Sequence, residues 1–244
     1  MVRRTTAGLA VAVLVTMSAL TACGPGPSPA TGAGPGHAGT SGGPARPLSE
    51  RALEQAAITG TDLKGYEVRF MATAASAAHR TAAPAACTPV VHALGAGSGF
   101  TATARAGRQF LSEEHGPGAT MTLSSHGLRD ATRVIGALRT AAERCRTFED
   151  VQAGFRYEAV ALRPDPGYGD ASVSLRLTQL AAGEQGERPV RVPYAVVAVR
   201  LGTTVVMFSA FHRPGGSGGE GPAVVPDVII RTQLAKLGEA TAAK

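Results

Sequence analysis

From Leu48 onward, the hydrophobic residues fall into short stretches of helical and of strand period that alternate irregularly. This order predicts an α+β fold, since a parallel sheet is usually built from regular strand–helix repeats. The clearest helical pattern covers residues 128–145, where apolar side chains recur every three or four positions and predict one buried stripe. That stripe consists of Leu128, Ala131, Ile135, Leu138, Ala142 and Cys145. Shorter helices are predicted over 49–58, 84–94 and from Asp227 onward.

Strands are predicted where apolar and polar residues alternate, around 66–71, 155–159 and 172–178. Residues 194–199 are apolar throughout, and the turn Gly202-Thr203-Thr204 leads from them into a second apolar stretch. Such a hairpin is buried on both faces and is expected at the centre of the sheet. Taken together, the pattern predicts an antiparallel sheet packed by helices on one side.

The first 47 residues differ from the rest of the chain. Arg3 and Arg4 precede an apolar run without charge over 5–20, which is typical of an export signal and too short to span a bilayer comfortably. Residues 24–47 are rich in Gly and Pro and contain no Val, Ile or Leu, so they are expected to form an extended, flexible tether. The folded domain is therefore expected over 48–244.

The signal ends in Leu20-Thr21-Ala22-Cys23, which resembles the lipobox of bacterial lipoproteins. The resemblance implies that residues 1–22 are removed and that Cys23 receives diacylglycerol and acyl chains such as palmitate. Several acyl chains hold a protein firmly to a bilayer. The expected location is the extracytoplasmic face of the cell membrane, with Cys23 as the membrane anchor. A secretory signal cut elsewhere, with an incidental cysteine, is the alternative.

Charge and composition narrow the classes of partner. The formal net charge is +6, but the basic residues form no long cluster, the aromatic fraction is 5% and there is no Trp. This composition argues against a nucleic-acid partner. No motif in the sequence indicates a cofactor or a metal ion, and His37 in the tether is expected to be solvated.

Two cysteines remain once Cys23 is assigned to lipid. Cys87 and Cys145 lie 58 positions apart, and the compartment outside the membrane permits oxidation. We predict one disulfide that joins the short helix of 84–94 to the long helix of 128–145. A reactive thiol or a metal-binding pair remains the alternative, although no CxxC or HxxxH spacing accompanies these cysteines.

Several segments together resemble the PknH-like extracellular sensor domain. They are "TGTDLKGY", "CTPVV", "SHGLRDATRVIGALRTAAERCRTF", "VSLRL", "YAVVAVRLGTTVVMF" and "RTQLAKL", spread over residues 48–237. The resemblance implies an α+β domain with an antiparallel sheet, disulfides and a cleft for an unknown ligand. This sequence contains no kinase portion, so the resemblance does not extend to kinase signalling.

Isolated polar residues give only weak candidate sites. Glu113, Glu114 and His115 supply too few converging ligands for a metal, and Ser124 and His126 lack an assigned acid. The loop 95–99 lacks the residues of a phosphate-binding loop, and Asp165 and Asp170 flank a Pro-Gly turn. The best group for holding an anionic ligand consists of Arg163, Tyr168 and Arg176.

We therefore expect a cell-envelope lipoprotein that is not an enzyme and whose sensor-like domain binds a small molecule, a lipid or a protein partner. An assembly or scaffold lipoprotein without a ligand cavity is the alternative from another class. A hydrolase that uses His126 or His115 is a third hypothesis. A large apolar pocket would favour the first function, and an exposed apolar patch without a pocket would favour the second.

Overall fold

The structure is a computed structural model that describes residues 46–73, 79–113, 118–182, 189–212 and 221–242. The signal sequence, the lipobox with Cys23, most of the tether, Glu114 and His115 lie outside the described residues. No helix in the described part of the chain is both long enough and apolar enough to cross a bilayer.

Four α-helices lie in the described residues. They are α1 (Glu50–Ala56), α2 (Thr88–Leu94), α3 (Leu128–Arg144) and α4 (Asp227–Ala242). Each was expected from the helical pattern. Ser49 caps α1 by accepting a hydrogen bond from the amide of Ala52, and a short 3-10 turn over Ala85–Cys87 leads into α2.

In the part of the chain that the structure describes, nine strands form one antiparallel sheet in the order β1-β3-β4-β9-β8-β7-β6-β5-β2. The strands are β1 (Tyr66–Phe70), β2 (Ala82–Ala83), β3 (Ala104–Ser112), β4 (Ala119–Ser125), β5 (Phe148–Asp150), β6 (Phe155–Leu162), β7 (Ala171–Ala181), β8 (Val190–Leu201) and β9 (Thr204–Phe211). The α+β class is confirmed. The apolar β8–β9 hairpin lies at the centre of the sheet, as its sequence predicts.

The helices cover both faces of the sheet, which corrects the expectation of helices on one side. Along β8, Val197 packs in a core cluster with α1 and α4, whereas Val196 packs in a second cluster with α2 and α3. Successive residues of a strand point to opposite faces, so a strand that is apolar at every position needs cover on both. The continuous apolar run of the hairpin already implied this arrangement.

The buried stripe of α3 differs from the predicted one at its start. Leu128 is 49% exposed, while the other five predicted positions are buried. Val134 and Ala141 are also buried and widen the stripe. Leu128 opens the helix directly after Gly127, three positions before Ala131, the first buried residue of α3.

Strand β6 departs from simple alternation. Ala159 has a φ of 53°, and the register with β7 shifts between Glu158 and Ala161. This bulge makes Val160 the next buried residue after Tyr157. The predicted alternation of Phe155, Tyr157 and Ala159 is therefore wrong at its two ends, where the side chains are exposed.

The predicted disulfide between Cys87 and Cys145 is present, with 5.7 Å between the two Cα atoms. Cys87 immediately precedes α2 and Cys145 immediately follows α3. Both cysteines are buried. The bridge therefore ties the start of one helix to the end of the other on the same face of the sheet.

Candidate functional site

A pocket of about 220 Å³ opens between α2, the loop that follows it and α3. Met207 on β9 forms part of its wall. The remaining lining residues are Thr88, Pro89, His92, Gly97, Ser98, Gly99, Phe100, Val134, Ala137 and Leu138. Most of these side chains are apolar, so the pocket suits an apolar ligand that is smaller than a typical drug molecule.

The sequence of α2 and its loop explains why this space exists. Pro at the second position of α2 favours the helix start, and Gly95 follows its last residue. The amide of Gly97 then donates to the carbonyl of His92 at 2.8 Å, which turns the chain back over the helix. The loop 95–99 was expected to be only a turn. Its role in lining the pocket could not be read from its glycines.

The disulfide fixes the two helical walls of the pocket. Thr88 directly follows Cys87, and Leu138 lies about two helical turns before Cys145. Because both walls join the same covalent bridge, their separation at that end is set by the bridge. The predicted cysteine pair is thus part of the framework of the site.

His92 is the most distinctive polar side chain of the pocket. It is 7% exposed, and its Nε2 lies 2.8 Å from the carbonyl oxygen of Arg80. A carbonyl can only accept, so Nε2 carries the proton and Nδ1 holds a free lone pair. Burial lowers the pKa of His92, which favours the neutral ring. The sequence analysis did not single out this residue.

The carbonyl that His92 contacts is itself held in place. The guanidinium of Arg80 pairs with Asp150, whose side chain is fully buried at the end of β5. Asp150 also accepts from the amide of Ala153 at 3.2 Å. A buried carboxylate needs such partners. The ion pair therefore anchors the segment that orients His92.

Of the three residues proposed for anion binding, Arg176 lies in β7, Arg163 directly follows β6, and Tyr168 lies in the loop between these strands. Arg163 is exposed, and Arg176 is half-buried on β7. Tyr168 donates its hydroxyl to Asp227, and its ring lies 5.7 Å from the guanidinium of Arg231. Within the described ranges, the three residues make no hydrogen bond or ion pair with one another.

The position of Arg176 also places it away from the pocket. Its neighbours Leu175 and Leu177 pack in the cluster with α2 and α3. By strand alternation, Arg176 faces the side of α1 and α4.

Asp165 and Asp170 act as turn residues. Asp165 accepts from the amide of Gly167 at 3.0 Å, and its hydrogen bond from Ser172 lowers its pKa. Asp170 accepts from the amide of Gly202 at 2.7 Å. The Asp165 contact is the local turn chemistry expected from the sequence, whereas Asp170 contacts the turn between β8 and β9. The described residues contain no cluster of three His, Cys, Asp or Glu side chains that could hold a metal ion.

His126 and Ser124 form a close pair at the end of β4. His126 Nε2 lies 2.9 Å from Ser124 Oγ, and Nδ1 lies 3.2 Å from the carbonyl of Thr101. His126 is fully buried, which lowers its pKa. Ser124 Oγ is also 3.3 Å from the carbonyl of Val205. The pair thus links β4, β9 and the segment before β3.

Comparison with known proteins gives a limited result. No protein-family model and no curated protein matches this chain. Among solved structures, the chain is similar to the extracellular domain of PknH from Mycobacterium tuberculosis, with 13% identity and a TM-score of 0.47. That match covers 82% of this chain and 100% of the other.

A second similar structure is an uncharacterized protein (Rv0999 ortholog) from Mycobacterium smegmatis. The two chains are 14% identical, with a TM-score of 0.35. This match covers 74% of this chain and 90% of the other.

Proposed function

We propose that this protein is a membrane-anchored envelope lipoprotein whose α+β domain binds a small apolar molecule without transforming it. The pocket between α2 and α3 is the observation that carries this proposal. It is lined by side chains of two helices, a loop and a central strand, and a disulfide holds its helical walls together. Small-molecule sites are usually preformed apolar concavities of this kind.

The membrane anchor is supported by the sequence. Cys23 ends a short apolar run in the context Leu-Thr-Ala-Cys, and a Gly/Pro-rich segment follows it. In this arrangement the acyl chains on Cys23 hold the protein at the extracytoplasmic face of the membrane, and the tether separates the domain from the lipid surface. The disulfide is consistent with an oxidising compartment.

Native mass spectrometry of the protein purified from its own envelope tests the binding function. We expect a co-purifying small mass on the wild-type protein and its loss from an Ala137→Phe variant, because Ala137 lines the pocket and phenylalanine fills it. Ala242→Phe places the same ring on an exposed end of α4 and should retain the mass. A mass that both variants retain contradicts binding in this pocket, and the absence of any mass from wild-type protein contradicts the binding function.

Membrane fractionation tests the anchor. We expect a Cys23→Ala variant to leave the membrane fraction and to lose the mobility shift caused by lipid, because no thiol remains at that position for acylation. Ser49→Ala, outside the lipobox, is the control and should remain membrane-bound. A Cys23→Ala protein that stays fully in the membrane fraction contradicts the proposed anchor.

A scaffold function is the second candidate, and one observation favours it. Phe70 at the end of edge strand β1 is 71% exposed, and the guanidinium of Arg108 lies 5.9 Å from its ring centroid. Exposed aromatic residues on an edge strand can serve as protein contacts. A Phe70→Ser substitution that abolishes crosslinking to envelope proteins in cells, while pocket binding is unchanged, would support this role.

A further inference from the structure

We propose that the pocket selects small apolar molecules that carry one hydrogen-bond donor, such as a phenolic hydroxyl, and that Nδ1 of His92 accepts the hydrogen bond from this donor. This inference rests on the proposed binding function and specifies its ligand class. It joins three observations: the fixed tautomer of His92, the open space beside Nδ1, and the size of the pocket.

The tautomer follows from the contact with Arg80. Nε2 donates to the carbonyl of Arg80 at 2.8 Å, so the other ring nitrogen presents a lone pair and no proton. Burial and the nearby positive charge of Arg80 both lower the pKa of His92. The ring therefore offers an acceptor, and a ligand that itself brings only an acceptor finds no partner there.

Gly99 leaves room next to this acceptor. A Cβ atom at Gly99 would lie 3.2 Å from Nδ1 and 3.2 Å from Cε1 of His92. Both residues line the pocket. The missing side chain of Gly99 thus keeps the Nδ1 edge of the ring open to a bound molecule.

The two hydroxyl groups of the lining, on Thr88 and Ser98, already have hydrogen-bond partners. Thr88 Oγ1 accepts from the amide of Ala82 at 3.1 Å, and Ser98 Oγ donates to the carbonyl of Phe100 at 3.2 Å. Among the hydrogen bonds of the described residues, none uses Nδ1 of His92. It is an acceptor that a ligand can engage without breaking an existing hydrogen bond.

The volume limits the ligand to about one ring. The pocket holds about 220 Å³. An apolar cavity of about 150 Å³ accommodates benzene, and sites for drug-sized molecules begin at about 300 Å³. A monocyclic phenol or a short-chain alcohol matches this range.

Calorimetry with phenol and toluene separates this inference from simple apolar binding. The two probes are similar in size, and only phenol carries a donor. The chain with Cys23→Ala is used because it needs no detergent, into which both probes would partition. We expect phenol to bind at least tenfold tighter than toluene, with a change in the Nδ1 chemical shift of His92 on binding.

Three variants make the assignment specific. His92→Phe keeps a planar aromatic ring but has no hydrogen-bond acceptor, so it should still bind toluene and lose the preference for phenol. Gly99→Ala should weaken the binding of both probes, because the added methyl group enters the space beside the His92 ring. Gly136→Ala is the control, because the added methyl group lies on the exposed side of α3 and meets no atom within 4 Å. This variant should bind phenol and toluene with the same affinities as the parent chain.

Each unfavourable result has a distinct meaning. If toluene binds as tightly as phenol, or His92→Phe keeps the phenol preference, the inference is wrong while binding in the pocket stands. If neither probe binds and native mass spectrometry finds no co-purifying mass, the proposed function fails together with the inference.

Discussion

The side chain of Gln233 on α4 is fully buried and donates a hydrogen bond to the carbonyl of Ala56, the last residue of α1, at 2.7 Å. Its Oε1 accepts from the amide of Ile58 at 3.0 Å. One amide side chain thus satisfies two backbone groups at the end of a helix that lies 177 positions away in the chain. This contact joins the first and last helices of the domain.

Replacing Gln233 with leucine should destabilise the fold, because two backbone groups would be buried without partners. Each such group costs roughly 1–3 kcal/mol, so a loss of about 2–6 kcal/mol is expected. Urea unfolding measures it. Gln109→Leu, on an exposed position of β3, is the matched control and should change stability little. Equal effects of the two substitutions would contradict a structural role for Gln233.

Removing the disulfide should lower the free energy of unfolding. A bridge between residues 58 positions apart restricts the unfolded chain by about 4 kcal/mol in the chain-entropy model, and measured effects are often smaller. The double variant Cys87→Ala and Cys145→Ala, measured by denaturant unfolding, tests this. The same variant should bind phenol more weakly than the wild-type chain, since the bridge holds the pocket walls. Unchanged affinity would show that helix packing alone sets the pocket.

Asp62 should contribute to stability in a defined pH range. Its hydrogen bonds from Lys236 and then Thr59 lower its pKa from 3.8 to about 2. A carboxylate whose pKa is lower in the folded state stabilises the fold above its unfolded value of 3.8, and this contribution disappears as the pH falls to about 2. The stability difference between wild type and Asp62→Asn should shrink across that range.

The cause of this shift can be checked separately. Lys236→Met removes the largest contribution and should raise the pKa of Asp62 toward its ordinary value, as followed by NMR titration. A difference between wild type and Asp62→Asn that stays constant from neutral pH to pH 2 would contradict the assignment.

Gly169 should tolerate alanine less well than Gly167. Both have positive φ, at 58° and 70°, which costs a residue with a Cβ roughly 1–2 kcal/mol. At Gly169 the added Cβ would also lie 2.5 Å from the carbonyl oxygen of Arg200, whereas at Gly167 nothing lies within 4 Å. We expect Gly169→Ala to lower the melting temperature clearly more than Gly167→Ala. Equal decreases in melting temperature for the two variants would mean that the end of β8 at Arg200 moves to accommodate the added methyl group at little cost.

Tyr168→Phe should raise the pKa of Asp227 at the start of α4 and leave ligand binding in the pocket unchanged. The tyrosine hydroxyl is the first cause of the lowered pKa of Asp227, so its removal should raise that pKa. Phenol affinity should remain the same, because Tyr168 does not line the pocket. NMR titration and calorimetry provide the two measurements. A loss of phenol binding in this variant would contradict the placement of Tyr168 outside the binding site.

Much of the local structure could be predicted from the sequence, because its causes are local. The periodicity of α3 and the apolar run of β8 and β9 require one buried stripe and two buried faces. The disulfide followed from a count of cysteines in an oxidising compartment. The bulge at Ala159 gave no such signal, because its positive φ occurs at an alanine inside an otherwise regular pattern.

The candidate site was not predictable in the same way. The residues proposed from the sequence, Arg163, Tyr168 and Arg176, were chosen for charge and proximity in the chain. In the fold the hydroxyl of Tyr168 is engaged by Asp227, and Arg176 lies on the face of the sheet opposite the pocket. His92 was not noticed, because a single histidine in a short apolar helix gives no pattern.

By itself, the sequence determined the four helices, several of the strands, the central hairpin and the cysteine pair, since these depend on neighbouring residues or on the count of one residue type. The tertiary structure alone decided that helices cover both faces, that loop 95–99 meets α3 across a pocket, and that the carbonyl of Arg80 fixes the proton on His92. Those features depend on contacts between segments that are brought together only when the sheet is assembled.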